Sequence, residues 1–236
     1  MGGFANNAPI VTDGLVFYVD AGNGNSYPGT GGTWGDLAGG NDGSFNNMDD
    51  VNNPSNNYDS GNGGSIVFDG VDDSVLADYI PVNTNTSEGN TVEQWIYWNG
   101  NFACMPFSWF DIRLDMQFQS NSFGINNGDS LLYGTSSAGL ANSWIHYACF
   151  FPNNWSTRSG DAKLWINGIE RTMTKINGNF SNRTIPSLAT ISIGSGYYGS
   201  IRQAFQGKIG ITKIYNRELT LSEISQNYNA LKNRFV

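Results

Sequence analysis

The sequence predicts an all-β protein, a two-sheet antiparallel sandwich with one short C-terminal helix. Short apolar or alternating runs recur along the chain, each closed by Gly, Asn, Asp or Pro, the pattern of a sandwich or barrel. Charged residues are only 14% of the chain, and aromatics are also 14%. The polar balance comes from Asn, Gly, Ser, Thr and Asp, which make turns rather than solvated helices. One segment carries helix signals, Thr220-Leu221-Ser222-Glu223, where Thr at the N-cap and Glu three residues on form a capping box.

Residues 1–12 are rich in Gly and Asn, with Pro9 near the end, and read as an extended arm. Residues 13–236 read as one domain, a length at which all-β folds remain single. The first strand is Leu15–Asp20, β-branched and aromatic after the Asp13-Gly14 turn. From Ala21 to Gly64 turn formers dominate, and Tyr27, Trp34, Leu37, Phe45 and Tyr58 are the anchors that would pack this stretch on the sandwich. A structureless connection of that length is unusual inside a domain.

Further strands are predicted at Ser65–Phe68, Ser74–Ala77, Thr91–Trp98, Cys104–Trp109, Ile112–Gln119 and Phe123–Asn126. The series continues with Trp144–Phe151, Lys163–Ile166, Ile169–Thr174, Ala189–Ile193 and Gly207–Tyr215. Asn167-Gly168 between two runs signals a type I′ hairpin, because both residues tolerate positive φ. In the helix, Leu219 and Ile224 are placed as a hydrophobic staple, and Leu221, Ile224, Tyr228 and Leu231 fall on one apolar face.

The net charge is −8 with no Lys/Arg run, which argues against nucleic acid, whose phosphates need clustered cations. No stretch approaches the ~20 apolar residues of a membrane span. The opening Met1–Asn7 has neither a basic nor an apolar region, so no secretory leader is expected there. The two cysteines, Cys104 and Cys149, read as small buried core residues; whether they pair is left open.

Several segments carry a family resemblance. Leu15–Asp20, Ser26-Tyr27-Pro28-Gly29, Thr33-Trp34-Gly35-Asp36-Leu37 and Asn41-Asp42-Gly43 resemble the opening of a concanavalin A-like, laminin G-type jelly roll. Phe68-Asp69-Gly70-Val71-Asp72-Asp73 resembles a signature of that family, and Thr91–Ile96 its central strand. Ser143–Tyr147 and Leu164–Gly168 resemble consecutive strands and a hairpin, and Lys208–Leu219 with Glu223–Ala230 the closing strand and helix. The resemblance implies a jelly-roll sandwich over Leu15–Phe235. The variant with Tyr-Pro-Gly, Trp-x-Asp-Leu and Gln-Asn-Tyr-Asn-Ala is similar to tailed-phage virion proteins. The fold hosts many functions, so chemistry must be argued from sites.

Hydrolases of this superfamily carry closely spaced carboxylates in a Glu-x-Asp-x-x-Glu pattern, the pair that acid/base or nucleophilic work requires. The matching strand here offers only Glu93, expected at a rim or as a hydrogen-bonded strand residue. Asp111 and Asp115 flank Arg113 on another predicted strand. His146, the single histidine, is expected to be structural, and no Gly-x-Ser-x-Gly elbow accompanies it. One His and two dispersed Cys also argue against zinc.

Asp69, Asp72 and Asp73 put carboxylates in one turn, the oxygen chemistry calcium prefers, although Asp-Gly and Asp-Asp are also plain turn formers. Asp20, Asn23 and Asn25 form a second oxygen cluster. Trp155, Tyr197 and Tyr198 are candidate loop aromatics for stacking on sugar rings, with Asn, Asp and Gly loops supplying hydrogen bonds.

The expectation is a non-enzymatic phage virion surface protein of decoration, cement or fibre type, assembled in the host cytoplasm. It would associate with other virion proteins and with itself, without nucleic acid or membrane insertion. No cofactor is required, and calcium is an open addition. The alternative is an adhesion module that recognises cell-surface glycans; a glycoside hydrolase ranks below both.

Overall fold

The structure is a computed structural model, and it describes residues 8–236 apart from 111, 128–131, 156–158, 178–183 and 199–200. In chain order the first strands are β1 (Leu15–Asp20), β2 (Thr33–Trp34), β3 (Gly43–Asn46), β4 (Tyr58–Asp59), β5 (Ser65–Asp69) and β6 (Ser74–Pro81). The middle strands are β7 (Gly89–Trp98), β8 (Cys104–Trp109), β9 (Leu114–Gln119), β10 (Ser122–Asn126), β11 (Leu132–Ser136) and β12 (Trp144–Pro152). The last are β13 (Lys163–Ile166), β14 (Ile169–Arg171), β15 (Thr174–Asn177), β16 (Leu188–Ile193), β17 (Ser195–Tyr198), β18 (Ile201–Ala204) and β19 (Gln206–Tyr215). Helical segments among the described residues include a single turn, α1 (Pro54–Asn57), and the C-terminal helix α2 (Leu221–Phe235).

The first sheet runs β14-β13-β12-β7-β19-β5-β4, with β1 also paired to β19, and the second runs β15-β11-β10-β9-β8-β16-β6-β3-β2. Their ladders are antiparallel, as in the expected sandwich. Alternation along each strand drives the packing. In β12, Ile145, Tyr147, Cys149 and Phe151 enter the main core, while Ala148 and Phe150 pack on the other side of the sheet. Trp98, Phe118 and Phe123 stack in sequence between the sheets, with centroids 3.9 and 4.2 Å apart. Each such side chain stabilises the fold by about 1.5–3 kcal/mol when removed from water.

The predicted Ile169–Thr174 strand divides. Ile169–Arg171 stays in the first sheet as β14, and Thr174–Asn177 joins the second as β15, so the chain crosses between layers at 172–173, where Met173 is buried. The Asn167-Gly168 turn has φ of 54° and 76°, the signs a type I′ hairpin requires. The Ala21–Gly64 stretch is packed through Tyr27 and Trp34, both buried, with Phe45 stacked on Tyr27 at 5.4 Å. It also supplies the short strands β2, β3 and β4.

The cap of α2 is the predicted box. Glu223 N–H donates to Thr220 Oγ1, and Thr220 N–H donates to Glu223 Oε2. Leu219 and Ile224 are buried together. Leu221 departs from the expected apolar face, being 54% exposed; the side of the helix turned to the sheet buries Ile224, Asn227 and Phe235 instead. Trp95 of β7 stacks on Phe235 at 4.5 Å and on Tyr228 at 5.6 Å. The helix therefore covers the outer face of the first sheet. Residues 8–12 lie on the same helix, where Val11 N–H donates to Asn227 Oδ1 and Gln226 Nε2 donates to the Pro9 carbonyl. Among the described residues no helix is long and apolar enough to cross a membrane.

Candidate functional site

The first sheet's outer face holds a buried polar centre rather than a site open to ligand. Glu93 accepts from Lys213 Nζ at 3.1 Å and from Asn227 Nδ2 at 2.9 Å, and its other oxygen lies 3.7 Å from His146 Nε2. Burial, the largest single influence, would raise the Glu93 carboxyl; the Lys213 ammonium, His146 and Asn227 together outweigh it and hold the group below the usual carboxylate range. Glu93 is thus hydrogen-bonded, as expected, but it lies under the helix and not at a rim. His146 is wholly buried beside the stacked rings of Trp95 and Tyr228.

Cys149 faces the opposite side of the sheet from the Glu93 centre, and Cys104 belongs to the other sheet. Both are free, and burial pushes both thiols up, Cys104 to about 12. Such thiols are inert, so neither forms a catalytic pair with His146.

The sequence-predicted calcium residues do converge. Asp69, Asp72 and Asp73 each offer a carboxylate oxygen, all within 4.8 Å of one another. An oxygen-only donor set suits a hard cation. The same groups also build the turn, since Asp73 Oδ2 accepts the Asp69 N–H and Asp69 Oδ1 accepts the Val71 N–H. Burial raises Asp73 to about 6, aided by the charges of Asp69, Asp49 and Asp72, against the opposing Asp69 N–H bond. Asp20, of the second oxygen cluster, is taken by Arg234 at 2.6 Å, and Asn23 Oδ1 accepts the Asn25 N–H.

The outer face of the second sheet is different. Here Val75 and Ala77 of β6 enter the core, and Leu76 and Asp78 point outward. The pairing of β6 with β16 slips between Ile191 and Ala189, which face Ala77 and Ile80. That bulge carries Tyr79 at φ 62°, 69% exposed. A bulky residue in the left-handed region is strained, and such strain gathers at functional positions.

Beside Tyr79 lies a cavity of about 430 Å³ lined by Gly40, Asn41, Asp42, Ser44, Asn46, Leu76 and Asp78. Asp36 shapes its rim by accepting from the N–H groups of Ala38, Gly39 and Asn41. Asp42 accepts the Asp36 N–H, and Asp78 accepts the Thr190 hydroxyl. A second hollow of about 160 Å³ shares Asn46 and Leu76 with the first and adds Asn47, Ser74, Phe110, Tyr197 and Arg202. The two adjoin at Asn46 and Leu76, and together they are termed the groove.

Its wall is the β17–β18 hairpin. One face of this hairpin lies on the sheet, where Gly196 leaves room for Met105, Asp115 and Ser108, and Gln203 accepts from Gln117. The other face presents Tyr197 and Arg202, which are cross-strand partners. Tyr197 meets Phe110 edge-on at 5.8 Å.

Of the three predicted sugar-stacking aromatics, Tyr197 lines the groove. The side chain of Tyr198 and all of Asp111 lie outside the described residues. Trp155 is fully buried in the core; its indole fills the sandwich interior and is closed to a ligand. Asp115, considered with Asp111, is buried beneath the hairpin. Sequence reasoning missed Tyr79, Phe110 and Arg202. The inward set Val75, Ala77, Ile80 carried a signal for the first, because the step of three breaks the period of two and marks a bulge.

A family model described as the concanavalin A-like lectin/glucanases superfamily matches residues 68–225. The chain belongs to this superfamily. Several solved structures share the superfamily fold. Domain 4 of AbnA, a GH43 extracellular arabinanase from Geobacillus stearothermophilus, in complex with arabinotriose, aligns with a TM-score of 0.61 at 16% identity, over 91% of this chain and 98% of that one. Trypanosoma rangeli sialidase in complex with the inhibitor DANA gives 0.60 at 14%, over 98% of this chain and 35% of the sialidase. The binding domain of botulinum neurotoxin serotype D gives 0.56 at 14%, over 92% and 51%. This chain therefore spans about a third of the sialidase and about half of the neurotoxin domain. At these identities the likeness is one of fold. No curated protein matches the sequence.

Proposed function

We propose that the chain is a non-catalytic saccharide-binding module whose site is the groove between β3, β6 and the β17–β18 hairpin. The observation that carries this reading is that exposed Tyr79 and half-buried Tyr197 each line one of two adjoining hollows, with Asn, Asp and Ser beside them. Aromatic faces take the apolar side of a sugar ring, and a few fixed polar groups take its hydroxyls. The AbnA domain of similar fold is in complex with arabinotriose, which supports the reading by analogy. The absence of turnover is proposed because Glu93 is sequestered under the helix, while Asp42 and Asp78 already bond to Asp36 and Thr190. Binding needs no cofactor; calcium, held by Asp69, Asp72 and Asp73, would brace the β5–β6 turn.

A glycan array followed by calorimetry tests this. Wild type binds at least one saccharide, and Tyr79→Ala and Tyr197→Ala each weaken it about tenfold or more, with no sugar released. Silence across the array, or unchanged binding by both variants, overturns the reading.

The setting proposed is a tailed-phage virion surface, where the chain would serve as a decoration, cement or fibre-type protein and contact other virion proteins and copies of itself. Its support is the sequence resemblance of Tyr27-Pro28-Gly29, Trp34-Gly35-Asp36-Leu37 and Gln226–Ala230. Antibody labelling of intact particles decides it; particles that never carry the chain would refute it.

A further inference from the structure

Arg202 lines the smaller hollow of the groove. Its Nη2 donates to Ser74 Oγ at 2.7 Å and Ser195 Oγ at 3.3 Å. Its Nε is buried without an acceptor. Among the described residues no carboxylate lies within ion-pairing distance of it, whereas Lys163, Lys208, Lys213, Arg217 and Arg234 each sit on one. The hollow of Arg202 is lined, among the described residues, by Asn46, Asn47, Ser74, Leu76, Phe110 and Tyr197, with no acid; Asp42 and Asp78 line the adjoining one.

A half-buried guanidinium has lost part of its hydration, and two neutral hydroxyls replace little of it. The two hydroxyls hold Nη2, and with Nε buried they leave Nη1 as the donor for an external acceptor. A charge-assisted hydrogen bond from Nη1 suits an anionic oxygen. Tyr197 lies directly across the hairpin from Arg202, so a ring resting on this aromatic would bring a substituent to the guanidinium.

We propose that the groove selects acidic saccharides, with Arg202 receiving the carboxylate or sulfate of a sugar whose ring lies along Tyr197. This rests on the saccharide-binding reading and adds the ligand's charge. The adjoining hollow, lined by Asn41, Ser44 and Asn46 but also by Asp42 and Asp78, suits a neutral neighbouring residue of the same saccharide.

The test uses matched ligand pairs on the full chain, namely oligogalacturonate with its methyl ester, and a sulfated galactan oligosaccharide with its desulfated form. Calorimetry on wild type should show one acidic member binding about tenfold or more tighter than its neutral partner. Arg202→Gln should abolish that ratio, and Arg202→Lys should keep part of it. Which pair responds separates carboxylate from sulfate. Equal binding of both members, with no effect of Arg202→Gln, overturns the acidic selection and leaves the groove reading standing. No binding of these ligands or of any neutral sugar overturns both. If Arg202→Gln unfolds because Ser74 and Ser195 lose their donor, the wild-type ratio decides the matter.

Discussion

Glu93 and Lys213 face each other across β7 and β19, 3.1 Å apart and each 1% exposed, beneath the C-terminal helix. Breaking a buried pair from one side leaves an unpaired charge in low dielectric, at a cost of about 3–5 kcal/mol. Lys213→Met is expected to lose that much in denaturant unfolding at pH 7, and Glu93→Gln/Lys213→Met to recover most of it. The Glu93 carboxyl is depressed in the folded state. Its stabilisation is therefore present above the unfolded carboxylate value of about 4.3 and fades as pH falls below it toward the folded value. Glu93→Gln should show a shallower loss of stability over that acid range than wild type; identical acid limbs would contradict the assignment.

Asp73 behaves in the opposite sense. Burial and the neighbouring acids raise it to about 6, above an unfolded value of about 3.9. A raised carboxyl favours folding while protonated, so its contribution is full below about 3.9 and is lost as pH rises through about 6. Asp73→Asn keeps an acceptor for the Asp69 N–H and removes one charge from the cluster. The variant should melt a few degrees above wild type at pH 7.5 in EDTA, with the gain gone near pH 4. Calcium binding at this turn would appear as a rise in the wild-type melting temperature on adding the ion, absent in Asp73→Asn.

Thr220 joins the cap of α2 to the acid–base pair beside it, because Glu223 accepts from both Thr220 N–H and Arg217 Nη2. Thr220→Ala should cost about 1 kcal/mol. Thermal unfolding measures it, and the fraying should stay in the first turn, leaving Trp95 covered by Tyr228 and Phe235 with its fluorescence unchanged.

Local chemistry made much of the fold legible in advance. The capping box, the Asn167-Gly168 hairpin and the alternation of β1, β8 and β13 are all decided within a few residues. Features set by distant partners were not legible. Glu93 and Trp95 alternate with core residues and read as an outward face, but α2 lies over them. Trp155 sits among turn formers in the sequence, yet the core takes its indole. The motifs behind the family resemblance turn out to build the scaffold. Asp36 orders the 38–41 loop, and Asn227 bridges Glu93, Tyr215 and Val11. The groove itself joins Tyr79 to Arg202 across 123 residues of separation, a relationship set by sheet order.

The hairpin that walls the groove was missed because Ser195-Gly196-Tyr197-Tyr198 reads as a loop, and its placement depends on one glycine. Gly194 joins β16 to β17 at φ 84°, donates its N–H to the Pro106 carbonyl, and accepts from the Phe205 N–H. A Cβ there would overlap the ring of Phe68, a core residue backed edge-on by Phe205. Gly194→Ala must therefore distort the backbone or displace Phe68. Left-handed strain of about 1–2 kcal/mol and overpacking of about 1–3 kcal/mol together predict a loss of about 2–5 kcal/mol. Displacing the hairpin would also move Tyr197 and Arg202 away from Ser74 and Phe110. The variant should accordingly lose saccharide affinity even at temperatures where circular dichroism finds it folded, whereas Gly139→Ala, at a positive φ with open space around it, should keep its affinity. Equal binding by the two folded variants would show that the hairpin is no part of the site.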